Sequence, residues 1–137
     1  MLRQLTILLL CLVLMHCSKK NYPPVENLGG GHDVSQFALT SLTGTRSGER
    51  FDARVIFGDG VSRLSVDLSF RVGVPVKLDS GKWSKLGDGG TVRERSVTFL
   101  GGQSGPPSLG GRFDLLDLSG ETAYRITIPL QPMKDRL

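Results

Sequence analysis

Two cysteines, Cys11 and Cys17, and two histidines, His16 and His32, are the only thiols and imidazoles in this 137-residue chain. Cys11, His16 and Cys17 crowd into an apolar N-terminal stretch, so His32 is the only imidazole left to the remaining chain. A Ser-His-Asp arrangement would have to draw its base from a glycine-rich segment with no rigid element around it. Gly102-Gln-Ser-Gly-Pro106 approaches the G-x-S-x-G pattern but ends in proline and lacks a strand-to-helix setting. Zinc needs clustered Cys and His, which are missing. Asp59 and Asp88 sit in glycine turns without the alternating acidic spacing of a calcium loop. Neither a P-loop nor a dinucleotide fingerprint occurs. Asp114 and Asp117 read as solvated strand-edge carboxylates and not as an acid–base pair for glycoside chemistry. The expectation is therefore no catalytic residue, no metal ligand, no cofactor and no enzyme. A hydrolase with an unrecognised carboxylate site is the less favoured alternative.

One stretch stands above this background. Lys77-Leu-Asp-Ser-Gly-Lys-Trp-Ser-Lys85 places the only tryptophan, Trp83, between Lys82 and Lys85, with Arg93 and Arg95 close behind. Residues 71–95 hold six basic and three acidic groups. An exposed indole among cations can stack on a sugar ring or anchor a protein. Trp83, Lys82, Lys85, Arg93 and Arg95 are thus a candidate binding patch. The competing and favoured reading makes Trp83 a cap on the end of the core.

Cys17 has a more specific setting. Arg3 precedes an 11-residue apolar run, Leu5–Met15, broken only by Thr6. That suits the h-region of a signal peptide and falls short of the roughly 20 residues a membrane-spanning helix needs. The run closes on Cys17 followed by Ser18-Lys19-Lys20. This resembles the lipobox of bacterial lipoproteins, with Leu14 at the third position before the cysteine; His16 departs from the small residue usual there. The resemblance implies cleavage after residue 16, a diacylglycerol on the Cys17 thiol and acylation of the new N-terminus. It implies a partner, the membrane, and a place in the bacterial envelope. Ser18 does not resemble the Asp of inner-membrane retention, which favours the outer membrane. A plain signal peptide cut elsewhere and a cytoplasmic chain with a buried N-terminal helix are the alternatives.

What remains after residue 16 is one domain's worth of chain, 121 residues, without a second cysteine to pair with Cys17. Its charge, 16 Lys and Arg against 13 Asp and Glu, is too slight for a nucleic-acid binder with a basic stripe. Residues 17–33 carry Pro23-Pro24 and three consecutive glycines and read as a lipid-anchored tether. As a flexible coil its 16 residues after Cys17, 18–33, would span roughly 20–24 Å.

The elements that must position any site are strands. Leu64, Val66, Leu68, Phe70 and Val72 alternate with Ser65, Asp67, Ser69 and Arg71, the pattern of a half-buried strand. Phe51–Phe57 and Tyr124–Leu130 repeat it, and 36–42, 74–78, 91–100 and 112–118 are weaker strand candidates. Gly58-Asp-Gly60, Asp79-Ser-Gly81 and Gly87-Asp-Gly-Gly90 read as turns, and Gly101–Gly111 as a long loop. About seven strands with one apolar face each predict an all-β domain over 34–133, an antiparallel β-sandwich with a small β-barrel as the alternative, and a tail at 134–137. Leu118–Tyr124 resembles the corner of immunoglobulin-like sandwiches, which implies a tyrosine hydroxyl bonded back to the chain; an ordinary core tyrosine is the alternative. The expected role is a binding or structural module facing an envelope protein or glycan. An accessory subunit of a larger envelope complex is the other reading.

Overall fold

The computed structural model describes residues 22–73, 75–101 and 107–135. Alternation becomes pairing along almost all of it. The strands are β1 (Val25–Asn27), β2 (Ala38–Ser47), β3 (Arg50–Gly58), β4 (Arg63–Arg71), β5 (Lys77–Lys85), β6 (Asp88–Leu100), β7 (Ser108–Leu116), β8 (Thr122–Pro132) and β9 (Lys134–Asp135). No helix occurs among the described residues.

From β2 to β8 each strand pairs antiparallel with the next, so the chain is a meander. Its strands do not divide into the two sheets of a sandwich. They form one sheet, with β1 added beside β8 and β9 beside β2. Three aromatic contacts show how far that sheet curls. Phe51 of β3 meets Phe99 of β6 at 5.2 Å between ring centroids, Phe70 of β4 meets Phe113 of β7 at 6.1 Å, and Trp83 of β5 meets Tyr124 of β8 at 5.6 Å. Each pair joins strands three apart, which in a flat sheet lie about 14 Å from one another. The sheet is therefore curled into a half-barrel around its apolar face, and the barrel alternative is met in part. Its two edges come together at one end, where the chain runs on from β8 and lays β9 parallel to β2, Thr43 opposite Lys134 and Gly44 opposite Asp135.

Most inward residues are those the alternation marks: Phe51, Ala53, Val55 and Phe57 on β3, Leu64, Val66, Leu68 and Phe70 on β4, Tyr124, Ile126 and Ile128 on β8 are all at most 2% exposed, whereas Leu130, the last residue of the β8 pattern, is exposed. Every buried apolar residue described lies between Val25 and Met133, so a chain begun at Ser18 keeps this whole core.

Local chemistry sets the turns. Asp59 Oδ1 accepts from the amides of Val61 and Ser62, closing the β3–β4 hairpin. The β5–β6 hairpin turns on Leu86 and Gly87, both at positive φ (48° and 88°), where a primed two-residue turn favours Asn-Gly. Asp117 Oδ1 accepts from the amides of Ser119 and Glu121 before β8.

Four expectations are corrected. Asp79-Ser-Gly81 is not a turn: it lies inside β5, where a bulge opposite Ser69 and Phe70 absorbs it. The loop at Gly101–Gly111 is shorter, because β7 begins at Ser108. The stretch expected as a tether is part of the fold from Val25 on: Val25–Asn27 pairs with Tyr124–Ile126, and the amides of Leu28 and Gly30 both donate to the Ala123 carbonyl. The unpaired edge of β8 supplies the hydrogen bonds that such a segment cannot make alone. The tail likewise contributes β9.

Candidate functional site

Along the outer face, away from the core, charges meet in register across the strands. On β3, β4 and β5 the row is Arg54, Asp67, Lys82; on β6, β7, β8 and β1 it is Arg93, Asp114, Arg125, Glu26. Opposite charges facing each other across a ladder stabilise it by roughly 0.2–1 kcal/mol per pair.

The second row is the denser site. Asp114 is fully buried although it points away from the core. What covers it is arginine: Arg125 Nε donates to Oδ1 at 2.7 Å, while Arg93 Nη2 at 2.9 Å and Arg95 Nη1 at 3.3 Å share Oδ2. Burial alone would push the Asp114 carboxyl up, and the bonds from Arg125 and Arg93 overcome it, holding the carboxyl below its ordinary value. Arg95 is itself the extra residue of a bulge between Glu94 and Ser96, past which the ladder resumes at Ser96 opposite Arg112. Arg112 lies two residues before Asp114 on the same strand. Its guanidinium stacks 3.6 Å from the Tyr22 ring, and its Nε is buried with no hydrogen-bond partner among the described residues. Three arginines thus hold one carboxylate, with Arg112 beside it along β7 and Glu26 at the margin. A guanidinium carries five N–H donors. Arg93 and Arg95, with side chains 55% and 45% exposed, turn most of theirs to solvent. Such an array is suited to oxyanions, carboxylate or phosphate.

The residues of the predicted patch separate. Trp83 is 4% exposed and points into the half-barrel, its Nε1–H donating to the Leu116 carbonyl at 2.8 Å. It is not an exposed anchor, because the inward face of β5 carries it onto Tyr124. Lys85, 3% exposed, shares the inward side at the barrel mouth and lays its Nζ 5.1 Å from the Phe37 ring centroid. Lys82 faces outward opposite Asp67. Only Arg93 and Arg95 come together, and the residues that gather them, Asp114 and Arg125, were not singled out from the sequence as a site. Asp114 is no solvated edge carboxylate. The clue available was the alternation of Arg112, Asp114 and Arg125 on the polar sides of neighbouring strands. Cys17 lies outside the described residues.

Two hollows flank these features. One, about 470 Å³, runs over the outer face of β3–β5 between Arg54, Asp67, Ser69 and Lys82. Its carboxylates are engaged: Asp52 accepts from Ser69 Oγ at 2.8 Å and Arg50 Nε at 3.2 Å, and Asp67 from Arg54 Nε at 2.8 Å. The other, about 390 Å³, opens at the barrel mouth over Trp83 and Tyr124, bounded by Gly29–Gly31 and the β5–β6 turn. There the Tyr124 hydroxyl accepts from the His32 amide at 3.0 Å, and His32 Nε2 lies 2.8 Å from Asp88 Oδ2. The Tyr124 bond therefore reaches the N-terminal segment and not the turn before β8. Among the described residues no group of three or more His, Cys, Asp or Glu could hold a metal ion. No family model, no curated protein and no solved structure matches this chain.

Proposed function

We propose that the protein is a lipid-anchored component of the bacterial envelope that presents its half-barrel as a binding or structural module, without catalysis of its own. The observation that carries the reading is the apolar run Leu5–Met15 closing on Cys17 and turning polar at once with Ser18-Lys19-Lys20. Two acyl chains on one cysteine suffice for stable attachment to a bilayer, where one chain binds only marginally. The absence of any further cysteine after Cys17 leaves that thiol free for acylation. The early start of the fold supports the same reading. Val25 is already buried, so the domain would sit close to the headgroups instead of on a long lead. The carboxylates of the outer hollow are each engaged by an arginine, Asp52 by Arg50 of its own strand and Asp67 by Arg54 of the neighbouring one. Metabolic labelling tests the anchor. Cells expressing the full chain and fed labelled palmitate label the wild type and not Cys17→Ala. Equal labelling of both ends the reading.

A further inference from the structure

We infer that the outer face of β6–β8, with Arg93, Arg95, Arg112 and Arg125 around the single buried Asp114, is a docking surface for the phosphates of anionic lipid headgroups, and that it lays the half-barrel side-on against the bilayer. The inference rests on the lipid-anchor reading for its choice of a membrane as occupant. Three observations carry it. The first is charge: three guanidiniums, Arg93, Arg95 and Arg125, share one carboxylate, Asp114, a fourth arginine, Arg112, stands two residues before it on β7, and Glu26 opposite Arg125 is the nearest further anion across the ladder. The second is the contrast with the other charged row. Arg54 and Lys82 flank Asp67 in register, and among the described residues no ion pair joins a second arginine to that carboxylate. The third is where the chain arrives. Tyr22 lies on Arg112 and is five positions on from Cys17 with four residues between them, a span of at most about 18 Å. A lipid on Cys17 therefore holds this face, and not the β3–β5 face, next to the headgroups. The intervening Lys19 and Lys20 keep the approach basic. Arg112 adds a buried Nε with no hydrogen-bond partner among the described residues at the spot where the chain meets the face.

Asp114 has a definite part in such a surface. It fixes Arg93, Arg95 and Arg125 by one nitrogen each, so that their remaining donors are ordered before a phosphate arrives. A flexible basic tail would have to order itself on binding.

The test uses the chain begun at Ser18, which keeps the whole core and carries no lipid, so its outcome is independent of whether Cys17 is acylated. Cosedimentation is measured with vesicles of phosphatidylcholine alone and with vesicles containing about a third phosphatidylglycerol, where each basic residue near the surface is worth about fivefold in partitioning. The expected result is binding to the anionic vesicles only, weakened by salt. Arg93→Gln with Arg95→Gln should lower it about 25-fold, with an unchanged circular dichroism spectrum. The pair Arg54→Gln with Lys82→Gln, on the other face, should change it less than about twofold. Equal losses from the two pairs, or no preference for anionic vesicles, would overturn the inference. Full competition by millimolar inorganic phosphate would also overturn it, because it would mean a site for a free anion in place of a membrane surface. Loss of palmitate labelling with vesicle binding retained would instead count against the anchor alone.

Discussion

Replacing Trp83 by alanine separates a core tryptophan from a binding anchor by stability alone. The side chain is 4% exposed, packs edge-on against Tyr124 at 5.6 Å, and donates to the Leu116 carbonyl at 2.8 Å. Truncating a buried tryptophan costs roughly 3–5 kcal/mol from lost contacts and the cavity left behind. The stranded Leu116 carbonyl adds about 1 kcal/mol where water cannot reach it. Against a typical domain stability of about 5–15 kcal/mol, the variant should be close to unfolding. Trp83→Phe divides the effect: the ring stays, the donor goes, and about 1–2 kcal/mol should be lost. Gly90 explains why that bond is possible. A Cβ there would collide with the Leu116 oxygen and come within 3.1 Å of Trp83 Nε1, so glycine keeps the bond's space clear. Urea melts of the chain begun at Ser18 give the numbers, and the emission of the only tryptophan should be blue-shifted and poorly quenched by acrylamide. A loss below about 1 kcal/mol for Trp83→Ala, the size expected at a surface site, would refute the packing described.

Leu86 is exposed and held at φ 48°, where a non-glycine side chain other than Asn or Asp is disfavoured by about 1–2 kcal/mol; Leu86→Asn should raise stability by about 0.5–1 kcal/mol in the same melts. Asp114→Asn should cost about 2–3 kcal/mol at neutral pH, less than three full charged hydrogen bonds because the arginines stay partly hydrated. The Asp114 carboxyl is held below its ordinary value in the folded chain, so its contribution is present above about pH 4, the unfolded value, and is lost as pH falls through the lower folded one; melts from pH 6 downward should therefore converge for wild type and variant. Gly30→Ala should destabilise the mouth of the half-barrel, because its Cβ would overlap the Tyr124 ring, and hydrogen exchange at the His32 amide should speed up.

The strands that were plain in the sequence are those with unbroken alternation. Leu64–Phe70 and Phe51–Phe57 pair residue for residue, Phe51 with Phe70 through Phe57 with Leu64, and their inward sets are as the pattern implies. The weaker candidates are weak for physical reasons. Bulges between Glu94 and Ser96, and at Leu109/Gly111 and Leu115/Leu116, shift the period in β6 and β7. Glycines also occupy inward positions that look polar to a pattern. Gly44 leaves room for the Phe51 ring and Gly81 for Val92, so a missing apolar residue there marks a neighbour's bulk. Curl was not legible, since a sandwich and a half-barrel need the same alternation; the Phe51–Phe99 contact that distinguishes them joins residues 48 positions apart. The arginine site was half legible. Arg93 and Arg95 stand out as charges, but Asp114 joins them only through the β6–β7 register, and Arg125 only through β7–β8. Trp83 lies in the core, as the favoured reading of the sequence had it; of its flanking lysines only Lys82 points outward, while Lys85, two residues further along the strand, shares the inward side.

The lipid anchor is the claim on which the functional account turns, and mass spectrometry of the mature N-terminus tests it most directly. The protein is purified in detergent from the membrane fraction of bacterial cells expressing the full chain, then digested and sequenced from its first residue. The account predicts a chain that begins at Cys17, carries a diacylglycerol on its sulfur, and yields no peptide from residues 1–16. A free Cys17 thiol in a peptide that still contains His16, or an N-terminus at any other residue, would contradict it.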